Sequence, residues 1–266
     1  MNLPAATTLV AVDGVPIAVQ LTPGPGSMAF VVAHGITGHG GHDQVRAIVD
    51  HLAATGSVLA VDLRGHGRSG GQSTVGMWEV LDIDVAVAWA RELGFTRVVT
   101  VGFSLGAAVC LRHAALALHP ELTSPADPMV AARVDAVVSV SGPAFWYYRG
   151  TKVMRRLHWV VETKLGRTLL RAKRTNIRPV EWPHPRPIEP WEAAGMLGAT
   201  PLLVVHGTKD RYFPVEHPAA IHRAAVTSGH PDAVLWLLDG VGHAEAAVAM
   251  DTIDDIAKWG LARCSD

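Results

Sequence analysis

The stretch "VVTVGFSLGAAVC", residues 98–110, passes from an apolar, β-branched run through a serine set between two glycines into small helix-forming residues. The first half has the composition of a strand buried on both faces, and the second half opens a helix. Ser104 therefore falls at a strand-to-helix turn. In an open parallel sheet, ligands bind beyond the carboxyl ends of the strands, so that turn is a place where chemistry can occur. Two readings fit Gly102, Phe103, Ser104, Leu105 and Gly106. The serine is either a nucleophile on a strained turn or a cap for the helix "LGAAVCLRHAALAL".

Working outward, seven more apolar runs predict strands: "TTLVAV", "PIAVQL", "MAFVVAHG", "SVLAVDLRG", "DAVVSVSG", "PLLVVHG" and "AVLWLLDG". From the third strand onward the runs predict burial on both faces. The first two, joined at Asp13 and Gly14, predict an antiparallel edge hairpin. Helical spacing falls between the strands, as in "DQVRAIVDHLAATG" and "MWEVLDIDVAVAWARELG", the latter ending at Gly94. The alternation predicts an α/β fold with a mostly parallel, eight-stranded sheet flanked by helices. About fifty residues between the sixth and seventh runs lack a buried-strand pattern and predict a helical cap. The expected division is a core of residues 1–144 and 198–266 and a cap of residues 145–197.

With 266 residues, 49% hydrophobic, and a formal charge of -1, the chain fits one α/β domain with an insertion and gives no sign of a general nucleic-acid binder. Cys110 and Cys264 lack Cys-x-x-Cys spacing and read as free thiols of a reducing compartment. The N-terminus shows no leader pattern and no segment has membrane-spanning length and polarity, so a cytoplasmic location is expected.

A serine hydroxyl needs a base to take its proton and a carboxylate to orient that base. "VVHGTKDRYFP" places Asp210 after the seventh strand, and "LLDGVGHAEAA" places His243 after the eighth. The order serine, aspartate, histidine, together with "VVAHGITGHG", "VDLRGHGRSGG" and "VGFSLGAA", resembles the α/β-hydrolase superfamily along nearly the whole chain. That resemblance implies Ser104, Asp210 and His243 as catalytic residues and backbone N–H donors at Leu105 and Ile36 for an oxyanion. Ile36 lies in "HGITGHG", which departs from the "HGGG" loop of some lipases and esterases. A serine nucleophile also points away from the dehalogenases and epoxide hydrolases of the superfamily, which use aspartate.

Other residues near these motifs have simpler readings. Asp239 reads as a turn residue, Glu245 as an exposed first-turn helix acid, and His206 and His113 as structural histidines. Ser139 and Ser141 end the sixth strand without an elbow. His34, His39, His42 and His66 raise the idea of a metal, but the Gly-rich context already has a reading as the oxyanion loop, so neither a metal nor a cofactor is expected. Arg64 and Arg68 are expected to hydrogen-bond locally.

Phe103, Trp146, Tyr147 and Trp159 are candidates for contact with substrate, with Tyr148 and Trp182 as further aromatic lining. Residues 149–178 carry ten Lys and Arg against the single acid Glu162. That imbalance reads either as a solvated face or as an attractor for an anionic substrate, carrier or membrane. The expected function is a serine carboxylesterase for small or medium acyl chains. Alternatives are an acyl thioesterase, a monoacylglycerol lipase, a peptidase, or a ligand-binding relative without turnover.

Overall fold

The computed structural model describes residues 6–179, 183–184 and 186–263. Every predicted apolar run forms a strand: β1 Ala6–Val10, β2 Pro16–Thr22, β3 Met28–Ala33, β4 Ser57–Val61, β5 Arg97–Phe103, β6 Ala136–Val140, β7 Leu202–Gly207 and β8 Ala233–Leu238. They join one sheet in the order β1-β2-β4-β3-β5-β6-β7-β8. β2 pairs antiparallel with β1 and with β4, and every later pairing is parallel. Gly14, at φ 83°, supplies the left-handed residue that the β1–β2 turn requires.

Helices cover both faces because alternate residues of the central strands are apolar in both directions. Ala29, Val31 and Ala33 of β3 pack towards α2 (Val80–Glu92), α3 (Leu105–Leu118) and α7 (Glu216–Thr227). Met28, Phe30 and Val32 pack towards α1 (Asp43–Ala53) and α8 (Met250–Arg263). Burying a Val, Leu, Ile or Phe in such a core contributes about 1.5–3 kcal/mol each before chain entropy is counted.

Two elements differ from the sequence pattern. β8 is an edge strand, paired with β7 alone, and is only partly covered, with Leu237 exposed. α2 begins at Val80, three residues after the helical spacing starts. Glu79 is the reason: its carboxylate accepts hydrogen bonds from Ser73 Oγ, Thr74 N, Thr74 Oγ1 and Gly76 N, tying down the preceding loop.

The stretch between β6 and β7 contains α4 (Lys152–Glu162), α5 (Lys164–Arg171) and α6 (Pro190–Gly195). Thr151 and Thr163 cap α4 and α5 through their hydroxyls, which accept from Met154 N and Gly166 N. The chain then returns over the loops after β4, where Ser73 N donates to Asn176 O and Asn176 N to Gly65 O. α6 lies inside the expected cap boundaries, yet Ala193 and Ala194 are buried in the core layer formed by α3 and α7. Small residues let this short helix sit close to its neighbours.

Beneath this region Arg112 of α3 is fully buried. Its guanidinium donates to the carbonyls of Gly76, Met77 and Ala126 and to Asp127 Oδ1, and lies 5.6 Å from the Trp146 ring centroid. Asp127→Ala leaves this cation buried without its carboxylate. The expected result is a loss of about 3–5 kcal/mol in urea unfolding. A change below about 1 kcal/mol would contradict that role.

Candidate active site

The elbow after β5 is built by sterics. Ser104 adopts φ 51° and ψ -112°, a conformation unfavourable for a side-chain-bearing residue. A Cβ on Gly102 would overlap Gly106 O, and a Cβ on Gly106 would overlap Ala33 O, so Gly102 lets the start of α3 close onto β5 and Gly106 lets it pack against β3. Ser104 N donates to Val140 O at 2.9 Å, anchoring the strained residue to β6.

The turn presents Ser104 to residues from two distant loops. Ser104 Oγ lies 2.9 Å from His243 Nε2, and His243 Nδ1 lies 2.7 Å from Asp210 Oδ2. Because an ionised carboxylate only accepts, Nδ1 carries the imidazole proton and Nε2 faces the serine hydroxyl as an acceptor. The other oxygen of Asp210 accepts from Tyr212 N at 2.7 Å and Phe213 N at 3.0 Å. The Tyr212 ring stacks on the imidazole at a centroid distance of 4.1 Å. His206 is buried nearby; it donates to Phe213 O, and burial lowers its pKa, so it braces the loop as a neutral ring.

The loop after β3 completes the surroundings of Ser104. Gly35 N donates to Glu245 Oε1 at 2.6 Å, Gly35 O accepts from His34 Nδ1 at 2.7 Å, and Ile36 O accepts from His66 Nε2 at 2.6 Å. His34 Nε2 in turn accepts from Leu63 N at 3.0 Å. Burial, reinforced by His66, holds its pKa well below the usual histidine value, so the ring is neutral as this pattern requires. The polar groups flanking Ile36 N are thus pinned. Among the described residues, neither Ile36 N nor Leu105 N has a hydrogen-bond acceptor, and both residues border the space beside Ser104. Two unpaired N–H donors, one of them at the start of α3 and the other in the loop after β3, suit a developing negative charge.

Ser104 sits between two unlike spaces. One is a cavity of about 70 Å³ under α4, lined by apolar and aromatic groups that include Val75, Trp146, Tyr147, Tyr148, Met154 and Leu157. Burial and the neighbouring His206 hold His217 down at about 4, and as a neutral acceptor it receives Ala144 N at 2.9 Å, fixing the chain that leads into this wall. The other is an open cleft of about 320 Å³ with mixed lining, including Thr37, His42, Gln44, Tyr212 and Glu245.

Several sequence expectations change here. Phe103 is not a wall of either space: strand alternation turns it into the layer beneath α1 and α8, where it is fully buried. Trp159 points outward, 50% exposed. Trp182 lies outside the described residues. Glu245 is not an exposed acid: it lies in the single 3-10 turn Ala244–Ala246, where Ala244 has φ 51°; it is half-buried, and its carboxylate accepts from Gly35 N. Ser141 has a use that sequence reading missed, since its hydroxyl accepts from Ala244 N at 3.0 Å and holds the turn that follows His243. Arg64 is locally paired as expected, with Asp82 and Asp13. Among the described residues, no group of three or more His, Cys, Asp or Glu side chains could hold a metal ion.

The sequence pattern of the Alpha/beta hydrolase family matches residues 30–258, and the chain belongs to that family. Among solved structures, the esterase RhEst1 from Rhodococcus sp. ECU1013 superposes with a TM-score of 0.71 at 19% identity, covering 97% of this chain and 99% of that one. The esterase Pf2001 of Pyrococcus furiosus superposes with a TM-score of 0.70 at 20% identity, covering 97% and 91%. Est1E from Butyrivibrio proteoclasticus, solved with ferulic acid bound, gives 0.62 at 18% identity, covering 96% and 99%. At these identities the likeness is one of fold. The curated proteins contain no significant match to the sequence.

Proposed function

We propose that this chain is a serine hydrolase that cleaves carboxylic esters through an acyl-enzyme on Ser104. The observation that carries this reading is the hydrogen-bonded chain from Ser104 Oγ through His243 to Asp210, at 2.9 and 2.7 Å, beside two unpaired backbone donors. Ser104 Oγ attacks the ester carbonyl as His243 Nε2 takes its proton, and the carbonyl oxygen, now negative, accepts from Leu105 N and Ile36 N. Collapse breaks the bond to the alkoxy oxygen, which leaves with the proton held by His243. Water then attacks the acyl-serine with His243 as base, releasing the acid and restoring Ser104. Asp210 holds the imidazole tautomer throughout.

The two spaces beside Ser104 support a division of the substrate. The small apolar cavity suits a short acyl group, and the larger mixed cleft suits the leaving alcohol or an acyl chain too long for the cavity. A series of neutral p-nitrophenyl esters of increasing chain length tests this, and kcat/KM is expected to peak at short acyl groups and fall beyond them. Matched acyl-coenzyme A thioesters form the second arm, because the basic residues of 149–178 favour an anionic leaving group. Preference for the thioesters would move the substrate class to them; turnover of neither would favour a binding role.

Glu245 serves this chemistry as a positioning residue, since its bond to Gly35 N fixes the peptide that immediately precedes the one carrying Ile36 N. Misplacing a reacting group by about 1 Å costs on the order of 10²-fold in rate. Glu245→Ala is expected to lower kcat by about that factor with KM little changed. Glu245→Gln keeps an accepting oxygen and is expected to restore most of the rate. Equal loss in both variants would point to a need for the charge itself and overturn the positioning role.

A further inference from the structure

The cap helices are two-faced. On α4, Met154, His158 and Val161 are buried, and Met154, Leu157 and His158 line the apolar cavity beside Ser104. The opposite face presents Lys152, Arg155, Arg156 and Trp159, spaced i, i+3, i+4 and i+7, all exposed. α5 continues outward with exposed Lys164, Leu165 and Leu169. Trp159, Leu165 and Leu169 are 50%, 61% and 58% exposed, a concentration of large apolar groups that a merely solvated basic face does not require.

The charge distribution points the same way. Residues 149–178 hold ten of the 23 basic and one of the 24 acidic residues, leaving thirteen basic and twenty-three acidic in the remainder. The single acid, Glu162, is engaged by Arg149 at 2.5 Å and His158 at 2.9 Å. A chain close to neutral is therefore strongly polarised, with its positive end at the cap.

We propose that the outer face of α4 and α5 docks on an anionic lipid surface. The cations meet the headgroups, and Trp159, Leu165 and Leu169 enter the boundary between headgroups and acyl chains, where an indole with one polar edge is favoured. A soluble polyanion or an acidic carrier protein would use the charge but leave the three apolar groups in water. The inference does not depend on Ser104, although docking in this orientation brings the face behind the acyl cavity to the lipid.

Flotation of the full chain with phosphatidylcholine vesicles, with and without phosphatidylglycerol, tests the proposal without any assay of hydrolysis. Association is expected with the anionic vesicles alone and is expected to weaken in salt. Each cation removed in the series Lys152→Ala, Arg156→Ala and Lys164→Ala is expected to weaken it about fivefold. The combined variant Trp159→Ala, Leu165→Ala, Leu169→Ala is expected to retain the attraction at low salt and lose what persists at high salt. All six positions are exposed, so unchanged circular dichroism and Tm are expected and distinguish lost binding from lost fold. No association with anionic vesicles at low salt, equal association with neutral ones, or association unaffected in both variants would overturn the proposal. So would binding to heparin, lost with the cations, in the absence of vesicle binding.

Discussion

Ser104→Ala is expected to lower kcat on a short p-nitrophenyl ester by about 10⁴ to 10⁶-fold, with Tm nearly unchanged. In the proposed mechanism the hydroxyl is the attacking group, so its removal leaves only the oxyanion donors and substrate binding to act on water. Stability should change little because alanine meets the same backbone constraint at φ 51° and loses one bond, to His243 Nε2. Steady-state rates and a thermal unfolding curve on the same preparation check both halves. Retention of more than about a tenth of the activity would remove Ser104 from the mechanism.

Asp210→Asn is expected to cost about 10⁴-fold in kcat at neutral pH with little effect on KM. The amide oxygen can still accept from Tyr212 N and Phe213 N, so the loop keeps its shape. The amide nitrogen, however, donates towards His243 Nδ1, where the carboxylate oxygen accepted at 2.7 Å. The imidazole proton then moves to Nε2, which faces Ser104 and can no longer take its proton. An effect smaller than about tenfold would show that the tautomer is held by something else.

Much of the architecture was legible because the responsible signals are local. The central strands are predominantly apolar runs, as burial on both faces requires, and the flanking glycines of the elbow follow from close approach of α3 to β5 and β3. Ser104, Asp210 and His243, whose side chains the structure brings within hydrogen-bonding distance, were singled out by their places at strand ends together with the resemblance to the α/β-hydrolase superfamily. Glu245 and Ser141 were not, since their uses depend on one-turn geometry after His243 and on partners far away in sequence: Gly35 and Ala244. Phe103 and Trp159 were misassigned for a related reason. Nearness to a motif in sequence says nothing of side-chain direction, which strand alternation sets for Phe103 and helix phase for Trp159. β8 read as doubly buried because its apolar run resembles those of the central strands, while edge position is a property of topology. α6 likewise lacks a strand pattern, but its small buried residues join the core rather than the cap.

The most direct measurement is the reaction of the folded protein with a fluorophosphonate, followed by peptide mass spectrometry. Such a reagent needs an activated hydroxyl, a base within reach and donors for its oxygen, all at one place. The expected result is a single adduct on the peptide containing Ser104, absent in Ser104→Ala and much slower to form in Asp210→Asn. No adduct on a well-folded sample, or an adduct that persists in Ser104→Ala, would contradict an acyl-enzyme mechanism at this serine.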